Sequence, residues 1–124
     1  MEAQDILKLE TGTKETTNLK PAIVKIVNVS IRDVGEKGNK KISCSVKHPD
    51  KEETIEISEV KFEKNKKLQE VGLWVNLDED GKIRKGSALA VLLSFLEVQT
   101  PEELKDKEVK TVEDERGFLC FKAY

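Results

Sequence analysis

The chain has 124 residues, room for one domain whose core needs no metal or disulfide to hold it. Charged and apolar residues each make up 37% and aromatics only 5%, so the core is small and mostly aliphatic. A total of 22 basic and 24 acidic side chains gives a formal net charge of −2, which argues against a protein held to DNA by bulk positive charge but leaves room for a local basic groove.

Residues 1–20 hold a short apolar piece, Ile6–Leu9, and then a polar stretch, Glu10–Asn18, with no periodicity. This pattern predicts a mobile arm or a loosely registered edge strand ahead of a single domain over 21–124. No basic start followed by an apolar stretch marks a signal peptide, and the longest apolar run, Ala88–Leu96, is too short to span a bilayer. A soluble, cytoplasmic protein with no membrane partner is the expectation.

Pro21 opens a strand over Ala22–Val34, dense in Val and Ile, and long enough to curve or carry a bulge. A turn at Gly35–Asn39 leads to a second strand, Lys40–Lys47, half exposed, with Ile42, Cys44 and Val46 on one face. His48–Lys51 makes the next turn, and a third strand runs from Glu53 to about Lys64. Ile55 and Ile57 differ in parity from Val60 and Phe62, which predicts a bulge near Ser58–Glu59 that keeps all four on the core side. Lys64–Lys67 reads as a loop and Leu73–Leu77 as a short strand ended by Asp78–Gly81.

Ser87 is a good helix cap, and Ala88–Leu96 is apolar almost all round, which predicts a helix buried on most sides. Thr100–Pro101–Glu102–Glu103 combines a cap, a first-turn proline and a glutamate three residues after the cap, so a short helical piece should follow and end near Asp106. The chain closes with a hairpin, Lys107–Val112 and Phe118–Tyr124, with Gly117 at a left-handed turn position. The fold class expected is mainly β: a small OB-like (oligonucleotide-binding) barrel with one buried helix and a short helical turn before the last two strands. The rivals are another small barrel or an α+β sandwich.

Motifs for chemistry are weak. Asn76–Ile83 resembles the start of an EF-hand calcium loop, but the twelfth place holds Ser87 where a bidentate Glu is needed, and Asp80–Gly81 is a turn pair in its own right. His48 is the only histidine and reads as a solvated turn residue. No Cys-x-x-Cys and no glycine-rich phosphate loop is present. No metal, cofactor or catalytic role is therefore expected. Cys44 and Cys120 sit in apolar strand runs and read as reduced, buried thiols, a disulfide between them being the alternative.

Binding is the more promising chemistry. Single-strand binders stack bases on exposed rings beside a basic groove. Basic residues cluster at Lys37, Lys40 and Lys41, at Lys61, Lys64, Lys66 and Lys67, and at Lys82, Arg84 and Lys85, although such runs are commonly just solvated surface. Trp74 has parity opposite to Leu73, Val75 and Leu77, so it is placed facing away from the core; Phe62 and Phe121 are weighed as stacking rings against ordinary packing. Lys41, Lys47 and Lys61 for phosphate contact and Trp74 for stacking make up the candidate site, on the face of the second and third strands.

In the final third, Ser87–Leu93, then Glu103–Val109, then Gly117–Phe118–Leu119 resembles small single-stranded-DNA-binding-like OB proteins of phages and archaeal mobile elements. That resemblance implies a nucleic-acid-binding module, preferring single-stranded DNA, accessory to replication or recombination. The alternative is a protein-interaction or assembly module, a homodimer paired through a strand edge without nucleic acid.

Overall fold

The computed structural model describes residues 19–35 and 38–124, so the arm expected over 1–20 lies outside the described residues except for Leu19 and Lys20. The protein is mainly β. Seven strands form one sheet: β1 (Ile23–Val34), β2 (Asn39–Lys47), β3 (Ile55–Ile57), β4 (Glu59–Lys64), β5 (Lys67–Gly72), β6 (Glu108–Glu113) and β7 (Leu119–Ala123). One α-helix, α1 (Ala88–Phe95), and a 3-10 turn (Pro101–Leu104) lie between β5 and β6. The order across the sheet is β3-β2-β1-β6-β7-β4-β5, antiparallel throughout except for the β4–β7 pair.

The named strands do not close into a barrel, because the ladder ends at β3 on one side and β5 on the other. Those two ends are nevertheless close along the chain. β3 and β4 are a single run broken only at Ser58, where the phase change in the sequence falls. Ile57 on one side of the break and Val60 and Phe62 on the other are all buried, as a bulge requires. β3 pairs with β2 at one end of the sheet, and β4 pairs with β7 one strand in from the other.

Leu73–Leu77 does not form the expected strand. The ladder strand is β5, six residues earlier, joined to β4 by a tight turn in which Asn65 and Lys66 both have positive φ (53° and 65°). Such a turn matches the twist of a hairpin, and Asn tolerates it without glycine. β5 escaped notice because it is an edge strand with Leu68 half in solvent and no alternation of apolar residues. The chain then leaves the ladder at Gly72. Leu73 N–H donates to Ser58 C=O at 2.9 Å, Leu73 C=O accepts from Ile42 N–H at 2.8 Å, and Val75 N–H donates to Lys40 C=O at 2.9 Å, stitching this segment to β2.

The core is aliphatic, as the composition demands, around Val24, Ile26, Ile42, Val46, Val60, Leu89, Leu92 and Phe121. Helix α1 begins where Ser87 Oγ accepts the Ala90 N–H at 3.3 Å, and it packs over β4, β5 and β7. It is less buried than its composition suggests. Ala88, Leu89, Leu92 and Leu93 face the sheet, but Ala90 and Val91 are half-buried and Phe95 is 49% exposed, so it lies on the sheet and is not plugged into it. The Thr100 segment forms only four residues of 3-10 helix, steadied by Thr100 Oγ1 and the Gln99 N–H, both donating to the Glu103 carboxylate. Gly117 takes the left-handed turn position with φ 84°, as its place in the sequence indicates. Among the described residues no helix is long and apolar enough to cross a membrane.

Candidate nucleic-acid interface

The outer face of β1 and β2 is set by one irregularity. Their register shifts between Ile26 and Asn28, leaving Val27 as the extra residue. Before it, Val24 and Ile26 point inward; after it, the phase changes so that Asn28, Ser30 and Arg32 point outward. Directly opposite partners then line one polar face: Lys25 with Lys47, Asn28 with Ser45, Ser30 with Ser43, and Arg32 with Lys41. Of these, Ser43 is buried. A floor of short side chains thus lies between two cationic ends, with Asn28 exposed, Ser30 and Ser45 half-buried and Ser43 covered. From Lys41 to Lys47 the strand rises about 20 Å at ~3.3 Å per residue.

Two of these four pairs oppose like charges, which destabilises adjacent strands. Each charge has only partial compensation. Arg32 pairs with Glu56 of β3, and the Lys41 ammonium sits over the Trp74 ring, 5.1 Å from its centroid. Lys47 Nζ donates to the His48 C=O at 3.1 Å. Lys25 faces Glu108 across β6, but among the described residues no carboxylate lies within 4.0 Å of the Lys25, Lys41 or Lys47 ammonium.

Trp74 faces outward, as its parity indicates, because the backbone of Leu73 is fixed by Ser58 and Ile42 and its side chain fills the core. It pairs across an isolated bridge with Lys41. Gly72 makes room for this pair. A Cβ there would come within 2.8 Å of both Lys41 Cε and Trp74 Nε1. The glycine is needed for space, since its φ is not in the left-handed region.

Of the four residues expected at the site, Lys41, Lys47 and Trp74 belong to this face. Lys61 does not join them. It lies on β4 opposite Glu70, with Lys61 Nζ 3.6 Å from the Glu70 carboxylate, and beside Lys122 on β7. Lys25, Arg32, Asn28 and Ser30 were missed, because only the bulge at Val27 turns them to the same side as Lys41 and Lys47. Phe62 and Phe121 are buried and serve packing. Beside Trp74 a half-open groove of about 440 Å³ is lined also by Gly38, Asn39, Lys40, Val75, Asn76 and Leu77; Lys41 is not among its walls, and Lys37 lies outside the described residues.

His48 corrects the expectation of a solvated turn residue, being fully buried. Its Nε2 lies 2.7 Å from the Lys20 C=O, and its Nδ1 lies 3.0 Å from the Asp50 N–H. That places the proton on Nε2, so a neutral ring donates to Lys20 and accepts from Asp50. It staples the chain before β1 to the turn after β2. Both partners are backbone groups, so no residue type in the sequence marks this staple.

The Asn76–Ile83 loop is a turn organised by Asp78. Its Oδ1 accepts the N–H groups of Asp80 and Lys82 at 2.9 and 3.0 Å, and Gly81 takes φ 76°. Among the described residues no group of three His, Cys, Asp or Glu side chains could hold a metal ion. Asp114 does similar work between β6 and β7. Burial alone would raise its pKa, but the Phe118 and Arg116 N–H groups donate to Oδ1, and the Arg116 guanidinium is 3.5 Å from Oδ2, so the carboxyl is held below its ordinary range. Cys44 and Cys120 are free and buried, and burial pushes both thiols up to about 12.

Comparison with protein-family models, with curated proteins and with solved structures found no match to this chain.

Proposed function

We propose that the protein is a nucleic-acid-binding module that takes single-stranded DNA across the outer face of β1 and β2. The observation that carries this is the pairing of like charges, Lys25 with Lys47 and Arg32 with Lys41, at the two ends of a Ser and Asn floor. A sheet selected only for stability has no use for such pairs. A phosphate backbone laid along the floor would neutralise both ends, and the short side chains between let it approach closely. Trp74 at one end supplies a ring on which a base can stack, with the Lys41 ammonium nearby for phosphate.

An OB-like architecture is the framework proposed for this face. Joining β3 and β4 through Ser58 gives a strand that pairs with β2 at one end and, in parallel, with β7 at the other. The helix between this strand and the closing hairpin agrees with that layout. A role accessory to replication or recombination is proposed on the resemblance in the final third of the chain.

Titration of Trp74 fluorescence with oligo-dT at low and moderate salt tests the proposal. Quenching at low salt that weakens as salt rises is expected. Absence of quenching at low salt, with a light-scattering mass twice 14.0 kDa, would point instead to an assembly module.

A further inference from the structure

The groove beside Trp74 continues the outer face past Lys41, because Asn39 lies two residues along β2 on the same side. Its walls bring together four kinds of group. Trp74 gives a flat ring and Leu77, 51% exposed, an aliphatic surface. Asn39 and Asn76 are exposed, and among the described residues their side-chain amides make no hydrogen bond. Lys40 sits at the rim, its ammonium held by Asp33.

A phosphate would call for converging cations and would gain nothing from the ring or Leu77. An apolar side chain would leave two amides desolvated and unpaired, which is unfavourable. A nucleobase satisfies all of them: its faces are apolar and polarizable, and its edge alternates donors and acceptors that an amide can match. In a duplex those edges are paired and the faces are stacked, so the groove suits only an unpaired base. We infer that the groove receives one unpaired nucleobase, stacked on Trp74, with Asn39 and Asn76 hydrogen-bonded to its edge. This rests on the proposed outer-face path, since a strand lying there delivers the base.

The test compares fluorescein-labelled oligo-dA with an abasic strand of the same length, by anisotropy at one salt concentration. The base-bearing strand should bind more tightly by roughly five- to a hundredfold, the range of one stacked base. In the double variant Asn39→Ala, Asn76→Ala that ratio should shrink. Both sites are exposed, so the variant's urea midpoint should match that of the parent. If both strands bind equally well, the outer-face path stands and the base groove is refuted. If the ratio persists in the double variant, Asn39 and Asn76 do not bond the base edge and the inference is refuted. If neither strand binds, the outer-face path falls too, and the groove with it.

Discussion

The charges on the outer face make a quantitative prediction about salt. Lys25, Lys41 and Lys47 have no carboxylate in ion-pair range among the described residues, whereas Lys61 is held by Glu70. Each phosphate contact on a single strand contributes about −0.7 to the slope of log K against log salt, so three contacts give about −2. Raising salt from about 50 to about 200 mM should weaken binding about twentyfold. Lys47→Ala should reduce the slope to about −1.4 and the loss to about sevenfold. Lys61→Ala should leave the slope unchanged, because its ammonium is already neutralised within the fold. Lys47→Glu should lower affinity further, yet stabilise the protein by roughly 0.2–1 kcal/mol, since it turns the repulsion across from Lys25 into an attraction. Anisotropy titrations over five salt concentrations, with urea denaturation of the same variants, read all of these. Equal losses of slope in the Lys47 and Lys61 variants would refute the reasoning, as the protein would then be bound through diffuse charge and not through this face.

Three further predictions concern the framework. His48→Ala should destabilise the protein by about 2–4 kcal/mol in urea, since it leaves the Lys20 C=O and Asp50 N–H unpaired around a new void; a change below about 1 kcal/mol would mean the staple is dispensable. Asp114 has its pKa lowered in the folded state, so its contribution is present above the ordinary carboxyl value of 3.8 and is lost as pH falls through the folded value. Asp114→Asn should therefore lower the urea midpoint near neutral pH, and the gap from the parent should close in acid; a gap independent of pH would contradict this. Both thiols, with pKa pushed up to about 12, should resist an aromatic disulfide reagent at mildly alkaline pH until denaturant is added, when two react. The same raised values mean that stability falls as pH rises above the ordinary thiol value of 9.0.

Much of the fold was legible because it follows from parity and turn chemistry. The dense Val and Ile of β1, the phase change at Ser58 and the cap at Ser87 each leave a local mark that the structure repeats. What escaped depends on partners distant in sequence. β5 is held by pairing with β4 at an exposed edge, so its residues need no apolar rhythm. Helix α1 was expected to be enclosed because composition reports hydrophobicity and not how many sides a neighbour covers; Phe95 is left outside. His48 looked like a surface residue because the Lys20 C=O that its ring bonds lies on a separate stretch of chain. At the site, Lys41, Lys47 and Trp74 could be placed by parity, while Lys25 and Arg32 could not, since nothing in the string of residues fixes where the one extra residue of β1 falls.

The division of one extended run at Ser58 also bears on how the chain finds its structure. The β1–β2 and β4–β5 hairpins join neighbouring stretches and close small loops, so they can form on microsecond timescales. The parallel pairing of Val60 with Phe121 must enclose everything between them, the helix included. Searching for that contact before its rewards arrive is slow, and it puts the nucleation of the complete sheet in the millisecond-to-second range typical of distant strand pairings. Until β7 docks, β4 lacks one of its two ladder neighbours, so its open edge is the stretch most exposed to pairing with another chain during folding.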